Sequence, residues 1–294
     1  MICDGQNMVL TKLEAYAGLV MFSHTLFSIP FGIIAMLMAA DGFPSLGLTV
    51  WIFVALISAR TAANALNRIV DKDIDARNPR TAGRHMPTGA VKTGEAVALV
   101  AVCLVLLVVS AFAISPICVG LLPIPLLLFF IYSFTKRFTW LCHVILGAAC
   151  ACAPLGAWVA VTGGFDWAVV SLAAAVMLWV AGFDIIYGAQ DVAFDRENNL
   201  HSIPARFGVK AALGISSMFH LVAVALLVYT GVLAGLGLLY YIGVGLIAAL
   251  LVYEHGIVSP TNLKNVTIAS YSVNQIVSTI FLLFSGADIL IKSF

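Results

Sequence analysis

The chain has 294 residues, 62% of them hydrophobic and 10% charged, with a net charge of +1. A water-soluble domain carries about a quarter charged residues. This composition excludes a body solvated by water on every side and assigns the chain to a lipid bilayer, with no nucleic-acid partner expected.

The first twelve residues are polar and lead into a long apolar run, so no removable signal peptide is expected. Apolar runs near the length needed to cross the hydrocarbon, about 20 residues, lie at 17–40, 47–68, 94–114, 117–134, 141–161, 167–187, 210–232, 236–253 and 267–291. They predict an all-α integral membrane bundle of nine transmembrane helices. The runs are continuous rather than alternating, which excludes a β-barrel. The faintest boundary is the Gly-rich stretch around Gly231–Gly237, between the seventh and eighth runs.

The charges sort by side. Loops after the second, fourth, sixth and eighth runs carry Lys72, Arg77, Arg80, Arg84, Lys92, Lys136, Arg137, Arg196, Arg206, Lys210 and Lys264. The intervening loops carry Asp41 and Asp166 and no Lys or Arg. Positive charge stays inside, so the basic loops and the N-terminus face the cytoplasm and the C-terminus lies outside. The two longest cytoplasmic loops, about 69–93 and 188–209, are rich in Asp and Arg, and loops of that length are usually functional.

The first long loop begins with Asn67, Asp71, Asp73 and Asp75, the second with Tyr187, Asp191 and Asp195. Residues four apart share a helix face. Asn67, Asp71 and Asp75 therefore line up, as do Tyr187, Asp191 and Asp195. Both sets are offset by the same 120 residues (191 − 71), so the bundle reads as two pseudo-repeated halves, each ending a helix in an acidic cluster. Like charges one turn apart repel, and four such carboxylates make sense around a divalent cation. An EF-hand is excluded, because Ala76 and Ala82 occupy the required Gly and Glu positions. Mg²⁺ is held by a few carboxylates together with substrate phosphates, and Arg80, Arg84, Lys136 and Arg137 on the same side suit an anionic phosphorylated ligand.

Arg60 lies inside the second run. An intramembrane Arg is costly and marks function by default, and its planar guanidinium suits a carboxylate. The competing structural reading pairs it with Asp184, also inside a run. Cys3, Cys103, Cys118, Cys142, Cys150 and Cys152 form no CxxC pair and read as small buried hydrophobes. His24, His85, His143, His201, His220 and His255 lack metal-ligand spacing and read as structural. His201 is set apart by its place beside the second acidic cluster.

These motifs resemble those of UbiA-type intramembrane prenyltransferases. Asn67-x₃-Asp71-x₃-Asp75 followed by Arg80-Thr81-x₂-Arg84 resembles their first motif, Tyr132-x₃-Lys136-Arg137 their segment after the fourth helix, and Asp184-x₂-Tyr187-x₃-Asp191-x₃-Asp195 their second acidic motif. The resemblance covers nearly the whole chain and implies one domain over 1–294, nine helices and cytoplasmic helical cap loops. It implies that Asp71, Asp75, Asp191 and Asp195 hold Mg²⁺ on a polyprenyl diphosphate. It places Asn67, Arg80, Arg84, Tyr132, Lys136, Arg137 and Tyr187 at that substrate, Arg60 on the carboxylate of an aromatic acid, and Asp184 near the aromatic ring. The implied reaction is Mg²⁺-dependent polyprenyl transfer to an acid such as 4-hydroxybenzoate in quinone biosynthesis, in the cell inner membrane.

The stretch Leu200–Gly208 departs from that pattern. It looks more like the branch that includes the futalosine-route menaquinone enzymes, whose acceptor is a dihydroxynaphthoic acid. Haem or glycerol phosphate acceptors have no need of Arg60. A CDP-alcohol phosphotransferase requires Gly where Asn67 stands. A secondary transporter would carry its carboxylates near the midplane, whereas these lie at helix ends.

Overall fold

The computed structural model describes residues 22–292 together with Tyr16, Gly18 and Leu19, with backbone alone for residues 22–27. Cys3, the His24 side chain, the polar N-terminal segment and the start of the first apolar run lie outside the described residues.

The described chain is helical, with a single isolated β-bridge between Ser259 and Asn262. Eight of its helical stretches, some made of consecutive helices, are long and apolar enough to cross a membrane, and Ser28–Ala40 is a shorter apolar helical stretch. Helix Leu46–Val70 starts where the Ser45 side chain accepts from the Leu48 amide, and Trp167–Gly188 starts where Asp166 accepts from the Ala168 amide at 2.7 Å. Both are N-caps that satisfy a free helix donor. The expected break around Gly231–Gly237 falls between Val209–Leu233 and Leu238–Gly256.

Two runs differ from the expectation of unbroken helices. The fourth splits into Pro116–Leu121 and Pro123–Phe134, because Pro123 and Pro125 each lack a backbone donor. The ninth opens with a π-helical turn, Ile268–Val273, before Asn274–Lys292. The two long loops carry short helical caps, Lys72–Arg77 in the first half and Val192–Glu197 and Ile203–Phe207 in the second, and the rest of the first loop is turns.

Trp167–Gly188 is the central helix, buried along most of its length between Cys142–Thr162 and Val209–Leu233. Small residues permit the close approach on which intramembrane packing depends. A Cβ added at Gly147 would sit 2.1 Å from the Met177 carbonyl oxygen. Phe31 stacks on Phe281 at 4.4 Å and meets Trp179 at 5.0 Å, tying the first and last helices to the centre. The outer faces stay apolar: Val102, Val105 and Phe112, like Leu221, Val232 and Leu283, are exposed. Such surface is stable only against lipid, and the chain is a multi-pass membrane protein.

Candidate active site

The acidic ends of the two halves share one backbone geometry. Leu46–Val70 ends at Asp71, with φ −92° and ψ 4°, and the short helix Lys72–Arg77 follows. Trp167–Gly188 passes through a tight turn, Ala189–Asp191, to Asp191 at φ −95° and ψ 2°, and the short helix Val192–Glu197 follows. Each Asp pair thus straddles a bend rather than riding on one straight helix, as the spacing by itself had suggested. Asp75, Asp191 and Asp195 are buried.

A cavity of about 150 Å³ lies between these ends. It is lined by Asn67, Asp71, Asp75, Asp184, Asp191 and Asp195, and by Arg60, Arg80, Arg84, Tyr132, Lys136 and Tyr187. Arg137 stands behind the lining. It pairs with Asp71 at 3.1 Å and donates to the Val70 carbonyl at 2.9 Å, capping the end of that helix.

Among the described residues no three His, Cys, Asp or Glu side chains converge as a ready metal cluster. Each acid is matched by donors, which relieves the repulsion between like charges. Arg80 crosses from the first half to grip Asp191 through Nε at 2.8 Å and Nη2 at 2.5 Å, and Asn78 adds a bond to the same carboxylate at 3.1 Å. Arg80 also donates to the Tyr187 hydroxyl and lies over that ring at 4.6 Å. Arg84 binds both oxygens of Asp75, at 2.7 and 2.8 Å, with Arg68 at 3.7 Å. Asn67 donates to Asp71 at 3.0 Å, and Ser202 to Asp195 at 2.8 Å. The donor set still fits a divalent ion with a diphosphate: hard carboxylate oxygens for the metal, and guanidinium and ammonium groups for phosphate oxygens.

Burial raises the Asp71 carboxyl above its ordinary range, against the pull of Arg137 and Lys136. Burial alone would ease the proton off Arg80, but its bonds to Asp191 and Tyr187 hold it more firmly than usual.

A second cavity, of about 220 Å³, is almost wholly apolar. It runs from the acidic end past Leu107, Leu121, Pro125 and Phe129 to Ile114, Cys118 and Phe165. The two cavities meet at Arg60, Asn64, Tyr132 and Leu146, which line both. Arg60 sits at that junction. Its Nη1 donates to the Cys150 thiol at 3.3 Å, and its buried Nε has no partner among the described residues. Cys150 is therefore a polar neighbour and not only a small hydrophobe.

The structural pairing of Arg60 with Asp184 is not what the fold makes. Asp184 is held by Nδ1 of His143 at 2.6 Å. His143 is 1% exposed, and a Cβ at position 188 would press its ring at 3.0 Å, so Gly188 keeps room for it. A lone His at position 143 carries no sequence signal for this role. Ser202 could have been found, since a Ser before Ile203-Pro204 is a helix-start signature. His201 points its side chain outward; its backbone amide donates to the Lys136 carbonyl at 2.7 Å and fixes that turn.

The sequence pattern of the UbiA prenyltransferase family matches residues 28–276, the greater part of the chain. The protein belongs to the UbiA prenyltransferase family. It is a prenyltransferase by that membership. It is 34% identical to a 4-hydroxybenzoate octaprenyltransferase of Marinobacter nauticus over 221 residues, 75% of either chain. A solved UbiA homolog from Aeropyrum pernix K1 superimposes with a TM-score of 0.82 at 34% identity, covering 92% of this chain and 98% of that one. A UbiA homolog from Archaeoglobus fulgidus, solved bound to GPP and Mg²⁺, shares the fold with a TM-score of 0.73 at 20% identity, covering 94% of this chain and 99% of that one.

Proposed function

We propose that this prenyltransferase moves a polyprenyl group from an allylic diphosphate to a ring carbon of an aromatic acid, in quinone biosynthesis. The observation that carries this is the junction: a polar chamber of carboxylates, guanidiniums and a lysine opens into an apolar tunnel, with Arg60 where the two meet. The whole chain acts as one domain in the cell inner membrane, with its acidic end and basic loops in the cytoplasm, its N-terminus inside and its C-terminus outside, a reading that the charge asymmetry of the loops supports.

Asp71, Asp75, Asp191 and Asp195 would hold Mg²⁺, as the relative bound to GPP and Mg²⁺ supports. Bound there, Mg²⁺ supplies charge neutralisation for the departing diphosphate. Arg80, Arg84 and Lys136 bind phosphate oxygens as negative charge grows on them, with Asn67, Tyr132 and Tyr187 orienting the group and Arg137 keeping Asp71 in place. The C1–O bond breaks and an allylic cation remains. Apolar walls around Leu107, Pro125 and Phe129 keep water from it. Arg60 holds the acceptor carboxylate so that a ring carbon attacks the cation. Asp184, aimed by His143, takes the displaced ring proton.

4-Hydroxybenzoate is the acceptor in the names of the curated relatives. The Leu200–Gly208 stretch favours a second acceptor, 1,4-dihydroxy-6-naphthoate, whose carboxylate would meet Arg60 equally. Membranes carrying the chain are given a polyprenyl diphosphate and both acids, with and without Mg²⁺. Prenylation of one acid, only when Mg²⁺ is present, is the expected result and names the acceptor. Diphosphate release with neither acid prenylated would overturn the aromatic-acid reading.

A further inference from the structure

We infer that the π-helical turn Ile268–Val273 positions the diphosphate end of the site, acting through Tyr271 on Tyr187. The inference rests on the diphosphate reading proposed above and adds residues from a helix outside both acidic motifs.

A π-turn inserts one residue into a helix, which rotates the preceding turn by about 100° relative to the helix beyond it. Here the helix beyond the turn keeps Val277 and Phe281 in the core, with Phe281 against Phe31. The turn itself carries Tyr271, which lines the polar cavity. Its ring lies 4.9 Å from that of Tyr187, tilted at 57°. Tyr187 in turn carries the Arg80 guanidinium 4.6 Å over its face and accepts from it through the hydroxyl. A stack therefore runs Tyr271, Tyr187, Arg80, Asp191, and Tyr271 sets where the guanidinium rests.

A widened turn leaves carbonyls without their usual donors, and the chain supplies one. The Asn274 amide donates to the Ala269 carbonyl at 2.9 Å, the Ser270 carbonyl at 3.4 Å and the Glu254 carboxyl at 3.1 Å. Its oxygen accepts from the Trp179 indole at 2.6 Å. Glu254 and Asn274 are wholly buried. A carboxyl inside the membrane is costly and rare, and the prenyl-transfer chemistry does not use this one. Its place is explained by the clamp: Glu254 and Trp179 fix Asn274, Asn274 holds the π-turn open, and the turn aims Tyr271. Tyr271 is a positioning residue, and Asn274 acts one step behind it.

The full-length chain in detergent is titrated with inorganic pyrophosphate and Mg²⁺, and KM values for allylic diphosphate and aromatic acid are measured in parallel. Tyr271→Leu is expected to weaken pyrophosphate binding about three- to tenfold, the worth of an aromatic pair, with the acceptor KM unchanged. Tyr271→Phe keeps the ring and loses only the hydroxyl's bond to Tyr187, so it should cost less than Tyr271→Leu. Asn274→Ala should reproduce the loss, and the double variant should lose no more than either single one. Should Asn274→Ala fail to fold, Trp179→Phe removes the indole donor, together with part of the ring that packs on Phe31, and carries the same expectation. Native pyrophosphate affinity in Tyr271→Leu, an equal rise in the acceptor KM, or additive losses in the double variant would each overturn the inference. An unaltered chain that binds no pyrophosphate with Mg²⁺ would bring down the diphosphate reading and this inference together. Normal binding by both the unaltered chain and Tyr271→Leu sinks the inference alone.

Discussion

Replacing Arg60 by Met should separate acceptor binding from stability, in opposite directions. In the free chain the guanidinium is poorly served. Its Nη1 has a thiol, a weak acceptor, at 3.3 Å, and its buried Nε has no partner among the described residues. A buried donor left unmade costs about 1–3 kcal/mol. Removing the group while keeping an unbranched apolar side chain should leave the melting temperature unchanged or raise it. The acceptor carboxylate, by contrast, would lose a charge-assisted bond worth about 1.5–3 kcal/mol. At about 1.4 kcal/mol per factor of ten, the acceptor KM should rise roughly 10- to 150-fold, while the prenyl diphosphate KM stays put. Initial rates with acceptor varied at saturating donor give this number. The amide analogue of the acid is the control: the native chain should reject it, and Arg60→Met should treat acid and amide alike. An unchanged acceptor KM, a parallel rise in both KM values, or a fall in melting temperature would refute the placement of Arg60.

Four other outcomes are expected from the same geometry. Asp191→Ala strips the acid that Arg80 and Asn78 both hold, and kcat/KM should fall about 100-fold or more; near-native turnover would remove it from the site. Because burial holds the Asp71 carboxyl above its ordinary range, Mg²⁺ must displace a proton there in mild acid. Mg²⁺ affinity should therefore begin to fall, as pH drops, above the usual carboxylate value of about 3.9, with proton uptake or release read by calorimetry in two buffers. His143→Phe frees Asp184 from its 2.6 Å bond; kcat should fall about 10- to 100-fold with both KM values little changed, and a ring-deuterated acceptor should then show an isotope effect absent from the native chain. Gly147→Ala forces a methyl against the Met177 carbonyl oxygen at 2.1 Å and should destabilise the protein by about 1–3 kcal/mol, and an unaltered unfolding midpoint would contradict that helix crossing.

Legibility in the sequence depended on how local each signal was. The runs at 47–68, 94–114 and 141–161 match helices Leu46–Val70, Thr93–Ile114 and Cys142–Thr162 within a few residues, because lipid demands unbroken apolar length and little else. The Asp and Arg positions of the cavity were readable because acids four apart, ending an apolar run, are rare without a reason. His143 was not readable. Its meaning depends on Gly188 and Asp184, which reach it from another helix. Tyr271 and Asn274 were hidden for a related cause: a π-turn has no composition of its own, and only the tertiary clamp from Glu254 and Trp179 makes it stable. The split at Pro123 was in plain view, but an apolar stretch of nearly the right length masked it.

The placement of the acids also has a reason in helix electrostatics. Asp71 caps the C-terminal end of Leu46–Val70, and Asp191 comes just past that of Trp167–Gly188. The C-terminal end of a helix carries the negative pole of its dipole, which favours a cation and repels an anion. A diphosphate placed there unaided would be disfavoured by two helix ends and four carboxylates at once. Positive charge from the chain must then offset that repulsion. That is the order seen: Arg80, Arg84 and Lys136 line the cavity, and Arg137 covers the Val70 carbonyl. Arg80 and Asn78 come from the first half yet bind Asp191 of the second, so neither acidic motif is complete by itself. The repeat in the sequence supplies two cation-favouring helix ends. The cross-half bonds are what turn them into one chamber at the mouth of a dry tunnel.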